Sequence, residues 1–155
     1  MKLLFISLGC DKNLVDSEEM LGMLAADGHE IVDDEDEAEV IIINTCCFIG
    51  DAKEESVNTI LEMAEKKKAG TCKVLIVTGC MAQRYKKEIS EEIPEVDAIL
   101  GTTSYGEISK AVKEAQAGRH FEEYKSIDFL PDISGKRMLT TGGHFAYLKI
   151  AEGCD

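Results

Sequence analysis

No stretch of this 155-residue chain approaches the ~18 consecutive apolar residues that a membrane-spanning helix needs, so no span is expected. The opening run Met1-Lys2-Leu3-Leu4-Phe5-Ile6 is too short for the apolar heart of a secretory signal, and no small-residue cleavage site follows it. Both absences point to the cytoplasm. Basic residues are scarce: 17 Lys and Arg stand against 30 Asp and Glu, a net charge of −13. Such a chain repels phosphate backbones, which argues against direct nucleic-acid binding, and it suits a basic partner protein. No C-x-x-C pair occurs, which excludes a local zinc or thioredoxin-type motif. Internal repeats and low-complexity tracts are also lacking.

What is present is the make-up of one ordinary globular domain, 45% hydrophobic and 30% charged, long enough to bury a core. The run Lys2–Ser7 reads as a buried strand. A helix is expected over 13–27, with Leu14, Ser17, Leu21 and Leu24 on one face and Gly28 as its stop. A short strand at 29–32 precedes the acidic run Asp33-Asp34-Glu35-Asp36-Glu37, which reads as a solvated surface loop. Val40-Ile41-Ile42-Ile43 is apolar on both faces, as strands of a parallel sheet are. Val57, Ile60, Leu61 and Ala64 set a helical period over 52–68. Strands at 74–77 and 97–100 bracket a shorter helix over 81–90, closed by Pro94. A last helix carries Ile108, Ala111, Val112 and Ala115 and ends at Gly118. This alternation predicts an α/β fold: a flavodoxin-like doubly wound parallel sheet of about five strands, order 2-1-3-4-5. That domain is expected to fill residues 1–124. Residues 125–143 read as a linker, and 144–155 as the first strand of a second domain that the chain does not contain.

Six cysteines remain to be explained, and in a cytoplasmic chain they are more often ligands or catalysts than disulfides. Cys10, Cys46 and Cys80 each follow a strand, the first, third and fourth. Those strands are neighbours in the expected order and ~4.8 Å apart, so three side chains at their tips can converge on one small object. Three thiolates suit a soft metal site. A zinc site would normally want a fourth ligand nearby, and His29 falls at the other end of the sheet. A [4Fe–4S] cluster held by three cysteines leaves one iron open, and helix N-termini after Cys10 and Cys80 would favour its negative charge. Cys72 precedes its strand, roughly 25 Å from Cys80 by strand length, and reads as structural. Position alone leaves open which of Cys46 and Cys47 is the ligand.

At these residues the chain resembles the methylthiotransferases, radical S-adenosylmethionine (SAM) enzymes with an N-terminal cluster-binding domain. The resemblance rests on Ser7-Leu8-Gly9-Cys10-Asp11-Lys12-Asn13-Leu14-Val15-Asp16-Ser17-Glu18, on Asn44-Thr45-Cys46 and on Thr78-Gly79-Cys80-Met81-Ala82-Gln83-Arg84-Tyr85. Tyr147-Leu148-Lys149-Ile150-Ala151-Glu152-Gly153-Cys154 resembles the approach to the family's C-x-x-x-C-x-x-C motif. Gly9-Cys10 followed by Lys12-Asn13, and Cys46-Cys47-Phe48-Ile49, look like the branch that modifies a ribosomal protein. The family usually has a small residue where Cys47 stands.

The resemblance implies that Cys10, Cys46 and Cys80 bind an auxiliary [4Fe–4S] cluster used in sulfur delivery. Cys154 would be the first ligand of a second, radical SAM [4Fe–4S] cluster, and 144–155 the start of a truncated radical SAM barrel. The full enzyme would place a methylthio group on the β-carbon of an aspartate in small-subunit ribosomal protein twelve. It would use S-adenosylmethionine and an electron donor such as flavodoxin or ferredoxin, with no membrane partner. This fragment alone is expected to be inactive, with no catalytic residue of its own. Arg84 and Lys12 are candidates to offset cluster charge, although surface roles are the commoner ones. Two other readings stand beside this one. The tRNA-modifying branch of the same family is the first. The second is a flavodoxin-like module for a flavin or nucleotide, for which Gly9-Cys10-Asp11-Lys12 makes a poor phosphate loop.

Overall fold

A computed structural model describes residues 1–8, 11–46, 50–102 and 104–124, with the backbone alone for 11–13 and 52. Six strands alternate with helices: β1 (Lys2–Ser7), α1 (Asp11–Ala26), β2 (Glu30–Val32), β3 (Val40–Thr45), α2 (Gly50–Lys68), β4 (Val74–Gly79), α3 (Cys80–Arg84), α4 (Lys86–Glu92), β5 (Ala98–Leu100), α5 (Ile108–Gln116) and β6 (Phe121–Glu123). A single 3₁₀ turn, Tyr105–Glu107, leads into α5. All six strands form one parallel sheet in the order β2-β1-β3-β4-β5-β6. The expected order 2-1-3-4-5 is therefore present, with a sixth strand added at the edge.

Side chains of a strand alternate between the two faces of a sheet. Here that alternation divides the core in two. Ile41, Ile43, Leu75, Val77 and Ile99 pack with α2, α3 and α4, through residues such as Ile60, Met63, Ala82 and Ile89. Val40, Ile42, Val74, Ile76, Ala98 and Leu100 pack with α1 and α5, through Met20, Leu24, Ile108, Ala111, Val112 and Ala115. β3 and β4 are buried at every position, as the two-sided apolar runs require. The four positions expected to anchor the last helix are all buried.

Three expectations change. On α2 the buried stripe is Ser56, Ile60, Met63 and Ala64, while Leu61 is 47% exposed. One residue past Ile60 is a ~100° turn of the helix, and it carries Leu61 out to solvent. The helix expected over 81–90 is two helices, because Tyr85 (φ −116°, ψ 30°) interrupts the turn and sets its ring against the first core. Lys53 Nζ stands 4.4 Å from the centre of that ring. Finally, β6 has no apolar alternation. It is a three-residue edge strand placed by main-chain pairing, Ala98 opposite Phe121. Among the described residues no helix is long and apolar enough to cross a membrane. The linker at 125–143 and the strand expected after it lie outside the described residues.

Candidate metal centre at the carboxyl edge of the sheet

β1 lies between β2 and β3, so the chain first winds one way from β1 and then returns across it to build β3, β4, β5 and β6 in the other direction. The carboxyl ends of β1 and β3 flank this switch point, where open α/β sheets bind ligands. β3 and β4 end in register: Asn44 lies opposite Thr78 and Thr45 opposite Gly79. Cys46 and Cys80 are the next residues of each strand. They leave the same edge at the same level, on strands ~4.8 Å apart. β1 runs alongside, with Ser7 opposite Asn44 and the Leu8 N–H donating to the Asn44 carbonyl at 3.0 Å. Cys10 itself lies outside the described residues, between the end of this strand and the start of α1 at Asp11.

The edge is held by buried polar groups. Gly79 has φ 97°, and a Cβ there would stand 2.5 Å from both Asn44 Oδ1 and the Thr45 carbonyl oxygen. Only glycine admits this turn and this closeness. Thr45 Oγ1 donates to the Thr78 carbonyl at 2.7 Å, tying the two tips together. The backbone of Cys46 is gripped from α2. Its N–H donates to Ser56 Oγ at 3.1 Å, and the Ser56 hydroxyl donates back to the Cys46 carbonyl at 2.8 Å. From α1, Ser17 Oγ accepts from Asn44 Nδ2 at 2.9 Å and donates to Ser7 Oγ at 2.8 Å. Three elements thus meet in a hydroxyl–amide chain beneath the cysteines. Cys46 is buried, Cys80 is partly exposed at the head of α3, and Thr102 Oγ1 lies 3.7 Å from Cys80 Sγ.

The other cysteine described, Cys72, stands at the opposite end of β4. It is buried, its thiol donates to the Val74 carbonyl at 3.0 Å, and burial pushes the thiol upward in pKa. His29 is also at that end, just before β2, with its imidazole held below the usual range by burial and then by the nearby N-terminal ammonium. Of the candidate charge-balancing residues, Arg84 is exposed with its guanidinium 5.8 Å from the Tyr85 ring centre, and the Lys12 side chain lies outside the described residues. Cys47 and Cys154 lie outside them too. Among the described residues no three metal-capable side chains converge. Two soft thiol donors at matched strand tips on a braced backbone fit a cluster, given a third thiolate. The bracing roles of Ser7, Ser17, Asn44, Ser56 and Gly79 were not read from sequence, although Ser7, Ser17, Asn44 and Gly79 stand in the segments that carry the resemblance. Their one signal is polarity or glycine where an apolar strand would be expected to continue, as in Asn44-Thr45 and Thr78-Gly79.

The family model described as "Uncharacterized protein family UPF0004" matches residues 2–101. The chain belongs to this family. UPF0004 is the domain found at the amino end of methylthiotransferases. Its matched span contains β1 through β5 and the strand tips that carry Cys46 and Cys80. Curated relatives agree over the full chain. The ribosomal protein uS12 methylthiotransferase RimO of Lachnoclostridium phytofermentans is 61% identical over 155 residues, covering 100% of this chain and 35% of that protein. The RimO of Solibacter usitatus is 52% identical over 156 residues, 100% of this chain and 32% of its own. That of Clostridioides difficile is 49% identical over 155 residues, 100% and 35%. The chain spans about a third of the length of the curated relatives it matches.

Proposed function

We propose that this UPF0004 chain is the cluster-binding N-terminal domain of a ribosomal-protein methylthiotransferase, with Cys10, Cys46 and Cys80 as ligands of an auxiliary [4Fe–4S] cluster. The observation that carries the reading is the in-register exit of Cys46 and Cys80 from adjacent strand tips beside the switch point. When bound, such a cluster supplies an open iron at which sulfur can be held for transfer. The chain's own part is to hold the thiolates. Gly79, the Thr45 hydroxyl and Ser56 fix where the two strand tips end, and the Ser7–Ser17–Asn44 chain fixes how close β1 and α1 come to them.

The full protein would modify the β-carbon of an aspartate in ribosomal protein uS12. It would use S-adenosylmethionine, a second [4Fe–4S] cluster whose first ligand is Cys154, and a flavodoxin- or ferredoxin-type electron donor, all in the cytoplasm. The domain division at 124 and 143 belongs to the same reading. Net charge of −13 supports a basic protein partner over direct contact of this domain with nucleic acid.

Anaerobic reconstitution with iron and sulfide, counted per chain, tests the ligand set. One [4Fe–4S] per wild-type chain is expected. Cys10→Ala, Cys46→Ala and Cys80→Ala should each lose most of it, and Cys72→Ala should keep it. A parallel Cys47→Ala variant decides which of the adjacent pair ligates. Loss in Cys72→Ala together with retention in Cys46→Ala would sink the proposal. For the full protein, methylthio groups found on tRNA and not on uS12 would move it to the other branch.

A further inference from the structure

Thr102 lies outside every motif considered so far, two residues past β5, yet its hydroxyl is 3.7 Å from Cys80 Sγ, within the reach of a hydrogen bond to the large sulfur atom. Both partners sit on braced backbone. The turn that carries Thr102 is closed by the Ser104 N–H donating to the Gly101 carbonyl at 3.0 Å. It is tied to β6 by the Gly101 N–H donating to the Glu123 carbonyl at 2.9 Å. A Cβ at Gly101 would overlap the carboxamide of Gln83, three residues after Cys80 on α3. Glycine there lets the loop after β5 close onto the helix that begins with the cysteine. The contact is therefore built by two elements locked against each other, not by two loose surface side chains.

We propose that Thr102 is a positioning residue for Cys80, its hydroxyl donating to the sulfur and so steadying that ligand and tuning the cluster it helps hold. The inference rests on the cluster reading above. A free thiol can give or accept a proton in this contact. An iron-bound thiolate has no proton and can only accept, so the hydroxyl becomes the donor. A donor on a ligating sulfur draws negative charge from the cluster, favours its reduced form and raises its potential.

Thr102→Val keeps the shape and removes the donor, and Thr102→Ser restores it. In reconstituted chains, an EPR-monitored redox titration should place Thr102→Val at a more negative potential than wild type, with Thr102→Ser back near wild type. Iron release to a chelator should quicken ~10-fold in Thr102→Val alone. Equal potentials in wild type and Thr102→Val would overturn the inference, even if both bind a full cluster. A second arm needs no metal: the Raman S–H band of Cys80, identified by its loss in Cys80→Ala, should move in Thr102→Val and not in Thr102→Ser. An unmoved band overturns the hydrogen bond itself. A wild-type chain that takes up no iron overturns the cluster reading and the tuning built on it, while a moved band would still uphold the contact.

Discussion

Gly79 is the residue on which the carboxyl edge of the sheet turns. It pairs with Thr45 as the last position of β4, bends with φ 97°, and brings its Cα against Asn44 and Thr45 of β3. A methyl group there would meet backbone atoms that cannot move without breaking the sheet. Gly79→Ala is therefore expected to cost at least about 2 kcal/mol of stability and to lower iron uptake, read by urea denaturation and iron counts on the same preparation. At the other end of β4, Cys72 is a small core residue with its thiol bonded to the Val74 carbonyl. Burial raises its pKa, so the folded chain keeps the proton where the unfolded chain would release it. The stability tied to this thiol is full below the ordinary thiol pKa and declines as pH rises above it. In the metal-free chain, alkylation at pH 8 should therefore modify the partly exposed Cys80 well before Cys72, as peptide mass mapping would show. Faster labelling of Cys72 would contradict its burial.

At the scale of elements, α2 shows why a stripe must be read by angle as well as by spacing. Ile60 is fully buried against β3 and β4, whereas Leu61 is 47% exposed although both fit the expected period. The true centre of the stripe lies toward Ser56 and Met63, a rotation that also brings the Ser56 hydroxyl to the Cys46 backbone. Ile60→Ala is expected to destabilise by about 2–5 kcal/mol, and Leu61→Gln by no more than about 0.5 kcal/mol. Chemical denaturation of the two variants side by side checks the pair; similar losses would place the helix in the wrong rotation. The same helix holds the acidic run at its far end, where Lys66 Nζ pairs with Glu35 at 3.0 Å and with Asp36 at 2.5 Å. That run is thus a surface loop tied back to α2, as its composition suggested.

For the whole molecule, the division of labour follows from where donors stand. The carboxyl edge carries Cys46 and Cys80, and on the proposed reading Cys154 would be the one ligand in this 155-residue polypeptide of the C-x-x-x-C-x-x-C type of motif that S-adenosylmethionine cleavage needs. One thiolate cannot hold a cluster. The reconstituted 155-residue chain, given S-adenosylmethionine and a strong reductant, is expected to form no 5′-deoxyadenosine above a protein-free control. Catalytic product by chromatography would show that the chemistry has been misplaced.

The strands and helices were legible in the sequence because burial on a parallel sheet or along a helix face imposes a local period, written within a few residues in runs such as Val40–Ile43 and Ile108–Ala115. From that alternation, the sheet order and the placing of Cys46 and Cys80 at strand ends followed, since a doubly wound fold allows few connections. Tertiary structure alone decided the rest. β6 pairs through main-chain groups that every sequence carries, so no side-chain pattern announces it. The matched register of Thr45 and Gly79, the Asn44–Ser17 bond across 27 positions and the Thr102–Cys80 contact across 22 depend on how distant segments pack. A sequence period records which side of an element is dry. It does not record which polar atom from another element will meet it there.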